Sequence, residues 1–143
     1  MKSMSALLVL LCAFISSARG MCFDDAARRY DVPAQLLKLI AEVESDMNPT
    51  AINRNEGGSE DIGVMQINTG WLPVLKKFGI NREDLFDACT NVMVGAWVLH
   101  QNIERYGYTW EAIGAYNARS AEKRFRYIKR VYARLKRGET QNG

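Results

Sequence analysis

Histidine is nearly missing from this chain: His100 is the only one in 143 residues. It sits inside a helical pattern with no carboxylate or cysteine at ligand spacing, so it reads as an ordinary helix residue. A Ser-His-Asp triad would have to use it, and no nucleophile elbow is present. Neither a phosphate loop nor a dinucleotide fingerprint occurs. The longest apolar run, Ala6–Ile15, has 10 residues, where a membrane span needs about 20. Only 3 prolines, 11 glycines and 3 cysteines occur, with 48% hydrophobic and 24% charged residues. Those proportions exclude collagen-like and low-complexity chains and fit one globular domain.

The short apolar run follows Lys2 and ends in Ala18-Arg19-Gly20, the layout of a secretory leader. Met1–Gly20 is therefore expected to be a signal peptide cleaved near Gly20, which makes the protein exported and periplasmic. The leader takes Cys12 with it and leaves Cys22 and Cys89. An even pair in an exported chain reads as a disulfide. Closing a loop of 67 residues stabilises a fold by about 4 kcal/mol in the loop-entropy model. Paired cysteines remove thiol catalysis and cysteine-based metal sites.

Charge is unevenly placed. Residues 21–118 hold 8 Lys/Arg against 14 Asp/Glu, and residues 119–143 hold 9 against 2. Ser120–Arg137 nonetheless has a core face, Phe125, Ile128, Tyr132 and Leu135, at helical spacing. The cations then fall on its solvated side, with Lys129, Arg130 and Arg134 as candidates for docking an acidic partner. No nucleic-acid fold motif or aromatic stacking platform accompanies them, so nucleic acid is not an expected partner.

Helical signals dominate the rest. Asp24–Tyr30 forms a first helix; Asp31 caps a second, with Pro33 in its first turn, running to about Asp46. Asn48-Pro49 forbids its continuation. Ala51–Asn68 is rich in Asn, Gly and Ser and reads as a small hairpin or irregular β excursion. Helices resume over Leu72–Phe78, over Arg82–Ala88 with Asn81 as cap, and over Asn91–Tyr106. Thr109 caps another through Tyr116, and Ser120 caps the last, which Gly138 stops. The expected organisation is a predominantly α, α+β domain over residues 21–138, then a polar tail over 139–143.

What remains for acid–base chemistry is carboxylate. Leu37, Ile40 and Glu44 share one helical stripe. A glutamate ending an apolar face is desolvated, which raises its pKa and suits it to general acid catalysis. The ordinary alternative is a helix-end ion pair. Asp61, at the entry to the β excursion, reads by itself as a turn residue. It matters because two carboxylates across a cleft are the usual apparatus for breaking a glycosidic bond.

Glu44-Ser45, Gly63-Val64-Met65-Gln66 and Ala115-Tyr116-Asn117 resemble, in order and spacing, the signature segments of the goose-type lytic transglycosylases. Cys89-Thr90-Asn91-Val92 with Gly95-Ala96 resembles a further segment of that family. The leader, single small domain and basic last helix look like the branch that accompanies type III secretion, type IV secretion and pilus machines. The resemblance implies a lysozyme-like fold. It also implies cleavage of the β-1,4 bond between N-acetylmuramic acid and N-acetylglucosamine in peptidoglycan, giving 1,6-anhydro ends without water. It makes Glu44 the catalytic acid and base, and Ser45, Met65, Gln66, Tyr116 and Asn117 substrate-binding residues. It calls for no metal and no organic cofactor, and for a monomer acting on glycan strands; the charge asymmetry adds an acidic protein of the secretion apparatus as an expected partner.

A second resemblance cuts across the first. Glu44, Ala51–Asn55, Ser59–Asn68 and Trp71 are also similar to animal c-type lysozymes, whose second catalytic carboxylate falls at Asp61, 17 residues after Glu44. Asp61 leaves two chemistries open: a transglycosylase in which it assists electrostatically, or a muramidase in which it is a full partner. A non-catalytic wall-binding protein is a third possibility.

Overall fold

A computed structural model describes residues 20–141; apart from Gly20, the expected leader lies outside the described residues. Two short helices open the chain, α1 (Phe23–Tyr30) and α2 (Ala34–Ser45). Asp31 does not cap α2: it ends α1 in the left-handed region at φ 50°, and α2 starts after Pro33 instead. The ring of Pro33 holds φ at −66° and breaks any continuation from α1, so α2 starts without a side-chain cap. Asp46 and Met47, at φ 53° and 64°, then turn the chain sharply out of α2, the left-handed exit that glycine more often supplies.

The excursion that follows is a three-stranded antiparallel sheet of β1 (Ile52–Arg54), β2 (Glu60–Ile62) and β3 (Ile67–Asn68), in that order. Its register sets Asn53 opposite Asp61 and Asp61 opposite Asn68, one row across all three strands. Beyond it, Leu72–Phe78 is a turn of α-helix, α3 (Leu72–Leu75), followed by a 3-10 turn. Arg82–Ala88 is likewise tighter than expected, a 3-10 turn over Glu83–Phe86. There Asp84 Oδ2 accepts from the Asn81 backbone N–H at 2.7 Å, so the aspartate reaches back and Asn81 is not the cap.

The long helix α4 (Ala88–Tyr106) begins earlier than its apolar pattern suggests, because Asp87 accepts from the Thr90 N–H at 2.8 Å. Thr109 caps α5 (Trp110–Asn117), and Ser120 Oγ accepts from Lys123 N at the start of α6 (Ala121–Gln141). Gly138 does not stop α6, which runs through it to Gln141.

One core is shared by α1, α2, α4 and the sheet, centred on buried Leu37, Ile40, Ile62, Met65, Val92 and Leu99. The Cys22–Cys89 disulfide is formed, with Cα atoms 5.2 Å apart, and staples α1 to the start of α4. The face that α6 turns inward is not the expected one. Tyr127 and Val131 are buried, whereas Phe125, Tyr132 and Leu135 are exposed and Ile128 is half-buried. Both stripes recur at helical spacing, and only the position of α6 against α2 and α5 selects between them.

A buried side chain on α4 fastens the sheet to the helices. Asn91, fully buried on α4, donates to the carbonyls of Ile62 and Leu85 (2.8 Å each) and accepts from Met65 N–H (2.7 Å). Gly63 lies against it at φ 79°, where a Cβ would come within 2.3 Å of the carboxamide and 2.7 Å of Leu85 O. Any other residue there is excluded both by conformation and by space. Replacing Asn91 with Leu strands three buried backbone groups, and urea unfolding is expected to register a loss of about 3 kcal/mol or more.

Candidate active site

A cleft of about 700 Å³ separates the sheet from α5 and the end of α2. Glu44 and Asp61 both line it, together with Gln66, Asn68, Trp71, Tyr116 and Asn117. Glu44 arrives there because it is the last-but-one residue of α2, on the stripe that Leu37, Ile40 and Ala41 bury. Among the described residues its buried Oε1 completes no hydrogen bond, and the same is true of the Tyr127 hydroxyl on α6. Loss of hydration therefore dominates and pushes the Glu44 pKa up to about 7. The Tyr127 hydroxyl, set close to the carboxyl without completing a full hydrogen bond, and the Arg130 charge pull against that rise, and the negative charge of Asp61 adds to it.

Asp61 is held very differently. Asn68 Nδ2 donates to its Oδ1 at 2.7 Å, while Asn55 and Asn53 donate to its Oδ2 at 3.1 and 3.4 Å. Ser59 Oγ braces the two nearer carboxamides by accepting from Asn55 and Asn68. The strand register alone places two of the three donors. Here the β excursion is a cradle for one carboxylate.

Of the other sequence-derived site residues, Gln66, Tyr116 and Asn117 reach the cleft. Gln66 sits at φ 49° and spends its amide nitrogen on Gly63 O (3.0 Å) and Ala51 O (3.3 Å), which leaves its carbonyl oxygen for a ligand. Tyr116 donates its hydroxyl to Met65 O at 2.9 Å, tying α5 to the β2–β3 turn. Its pKa stands well above the ordinary tyrosine value, first through burial and then through the charges of Glu44 and Asp61.

Ser45 and Met65 do not line the cleft. The Ser45 hydroxyl donates to Val64 O at 2.7 Å and accepts from Asn48 N–H at 3.1 Å, so it buttons the end of α2 to the sheet. Met65 is fully buried and packs on Gly95, where an added Cβ would lie 2.8 Å from it. Their place in a signature segment reflects architecture as much as contact with a ligand.

Sequence reasoning passed over the Asp61 cradle and the grip of α6 on the end of α2. Asn53, Asn55 and Ser59 read as turn formers, and nothing local marks them as ligands of one carboxylate. On α6, Arg134 Nε pairs with Glu42 at 2.7 Å and its Nη2 reaches Asp46 at 3.3 Å, while Arg130 donates to Val43 O at 3.0 Å. Two of the three cations expected to face a partner instead grip the residues on either side of Glu44.

A desolvated helix-end carboxyl facing a cradled aspartate across a cleft, on a mostly helical body with one small sheet, is the lysozyme-like architecture. Comparison with known sequences agrees. The chain belongs to the family of the transglycosylase SLT domain, whose model matches residues 21–138. It is 40% identical over 131 residues to the "Invasion protein IagB" of Salmonella typhimurium (strain SL1344), covering 88% of this chain and 82% of that one. To the "Protein IpgF" of Shigella flexneri it is 40% identical over 134 residues, covering 90% and 88%. A "Peptidoglycan-binding-like protein" of Escherichia coli O157:H7 is 37% identical over 137 residues, covering 87% and 82%.

Burial of Glu44 has a measurable signature. Its folded pKa of about 7 lies above the ordinary value of 4.5, so the folded state holds the proton more tightly than the unfolded one. Stability is then fullest below pH 4.5 and declines as pH rises towards 7. Glu44→Gln removes that decline: the melting temperature is expected to rise by several degrees at pH 8 and to change little at pH 4.

Proposed function

We propose that the protein is a peptidoglycan lytic transglycosylase, acting on the β-1,4 bond between N-acetylmuramic acid and N-acetylglucosamine. The observation that carries this reading is Glu44, a carboxyl kept protonated near neutrality by burial at the floor of the cleft. A protonated Glu44 gives its proton to the glycosidic oxygen as the C1–O4 bond breaks. The resulting carboxylate takes the proton of the muramic C6 hydroxyl as that oxygen bonds to C1, closing the 1,6-anhydro ring and restoring the acid. One residue completes the cycle without water. The negative charge of Asp61 favours the oxocarbenium-like transition state between the two steps. Gln66 and Asn117 hydrogen-bond the sugars or their N-acetyl groups, and Tyr116 and Trp71 form walls for the rings.

The Asp61 cradle favours one other reading, a water-using muramidase with two catalytic carboxylates, because three donors fix that side chain as a built element of the site. Export to the periplasm, action as a monomer and local opening of the wall for a secretion or pilus machine complete the proposal. They rest on the leader-like N-terminus, on the family and on a relative named an invasion protein.

Muropeptides released from purified peptidoglycan by the oxidised protein, weighed by mass spectrometry, are expected to carry anhydro-muramic ends, one water lighter than hydrolysis products. Free reducing muramic ends would establish the muramidase. Glu44→Gln is expected to lower the rate by at least about 10²-fold with the fold retained. An unaffected rate removes Glu44 from the chemistry, and wall binding without any cleavage by the natural chain makes the protein a binder. The natural enzyme is expected to lose activity as pH rises through about 7, where Glu44 gives up its proton.

A further inference from the structure

The stripe that reads as core in the sequence of α6 is an outer surface of the molecule. Phe125 is 62% exposed, Tyr132 49% and Leu135 37%. Phe125 and Tyr132 stand seven residues apart, and so do Ile128 and Leu135. Alternating steps of three and four at a seven-residue period are the seam of a coiled coil, and among the described residues no second helix closes it. The strip has a wall and a well. Trp110, 42% exposed at the start of α5, meets Tyr132 edge-on with ring centroids 5.9 Å apart. Behind Trp110 lies a hollow of about 230 Å³ between Leu36, Ile103, Tyr108 and Ile113.

The other flank of the strip is cationic. Lys129 lies over the Phe125 ring and Lys136 over the Tyr132 ring, at 5.5 and 5.8 Å. Among the described residues Lys129 and Arg137 take part in no ion pair. The helix as a whole carries eight Lys/Arg against Glu122 and Glu139. A second copy of the chain would bring the same cations against these, so self-pairing along the seam is opposed.

We propose that this face of α6, with Trp110 and the hollow beside it, docks an amphipathic helix of another protein, one with apolar residues at heptad spacing and acidic residues flanking them. Seam register accounts for the seven-residue repeat, the hollow takes one large apolar anchor, and Lys129 and Lys136, which lie over the seam's rings, meet the acidic flank. An anionic bilayer is the competing occupant, but a lipid surface requires neither register nor a well. The surface lies outside the cleft, so the inference stands apart from the catalytic reading.

The probe is a synthetic multi-heptad peptide with Leu at the seam positions and Glu at the flanking ones, set against its Lys counterpart and against phosphatidylglycerol vesicles. Fluorescence anisotropy is expected to show binding of the Glu peptide alone, weakened about tenfold or more by Phe125→Ser with Tyr132→Ser. Lys129→Glu with Lys136→Glu is expected to weaken the Glu peptide and to create binding of the Lys peptide. Circular dichroism of these surface variants confirms that they fold. The Glu44→Gln protein is expected to bind as the natural chain does, which separates docking from cleavage. Failure of the Glu peptide to bind, binding indifferent to the serine substitutions, equal binding of both peptides, or capture by vesicles in place of peptide would each overturn the proposal.

Discussion

A buried carboxamide ties the sheet of this molecule to its long helix α4. Asn91 offers two donors and one acceptor to three backbone groups of the sheet and the turn before α4. Those groups have lost water, and each would otherwise count heavily against the fold. Satisfying all three fixes the β2–β3 turn on α4, and with it the left-handed backbone of Gln66 and the anchor for the Tyr116 hydroxyl. The far wall of the cleft is thus set from the middle of the core. Gly63 is part of the same constraint, since nothing larger fits beside the carboxamide.

The two carboxyl groups across the cleft show how one small fold makes two environments. Glu44 ends an apolar stripe and loses its water, and its proton is held more tightly as a result. Asp61 lies on strands whose register brings amide donors to both its oxygens. Burial works on one and hydrogen bonding on the other, although only a cleft separates them. The α6 arginines complete the frame, because the residues around Glu44 are gripped by charges from the far end of the chain. The basic helix has a structural duty in addition to any partner it meets.

Legibility differed between the parts. The stripe Leu37–Ile40–Glu44 was readable because helix periodicity is local, and so was the cap at Thr109. The disulfide followed from cysteine count and an export-like N-terminus. Misreadings fell where two local solutions compete. Asp31 could cap a helix or end one, and Pro33, standing as the N-cap of α2, settled the matter. Ser45 and Met65 stand in the same segments as Glu44 and Gln66 but pack into the framework beside the cleft.

By itself the sequence determined the predominantly helical class, the two carboxyls, their family and the asymmetry of charge, all of which depend on residue type and short-range spacing. Tertiary structure decided the rest. Turn-forming asparagines became a cradle only once strand register set them beside Asp61. Of two apolar stripes on α6, Tyr127 with Val131 went inward and Phe125 with Tyr132 went outward. Periodicity gives a helix its faces, but only the surface it lands on chooses which of them is buried.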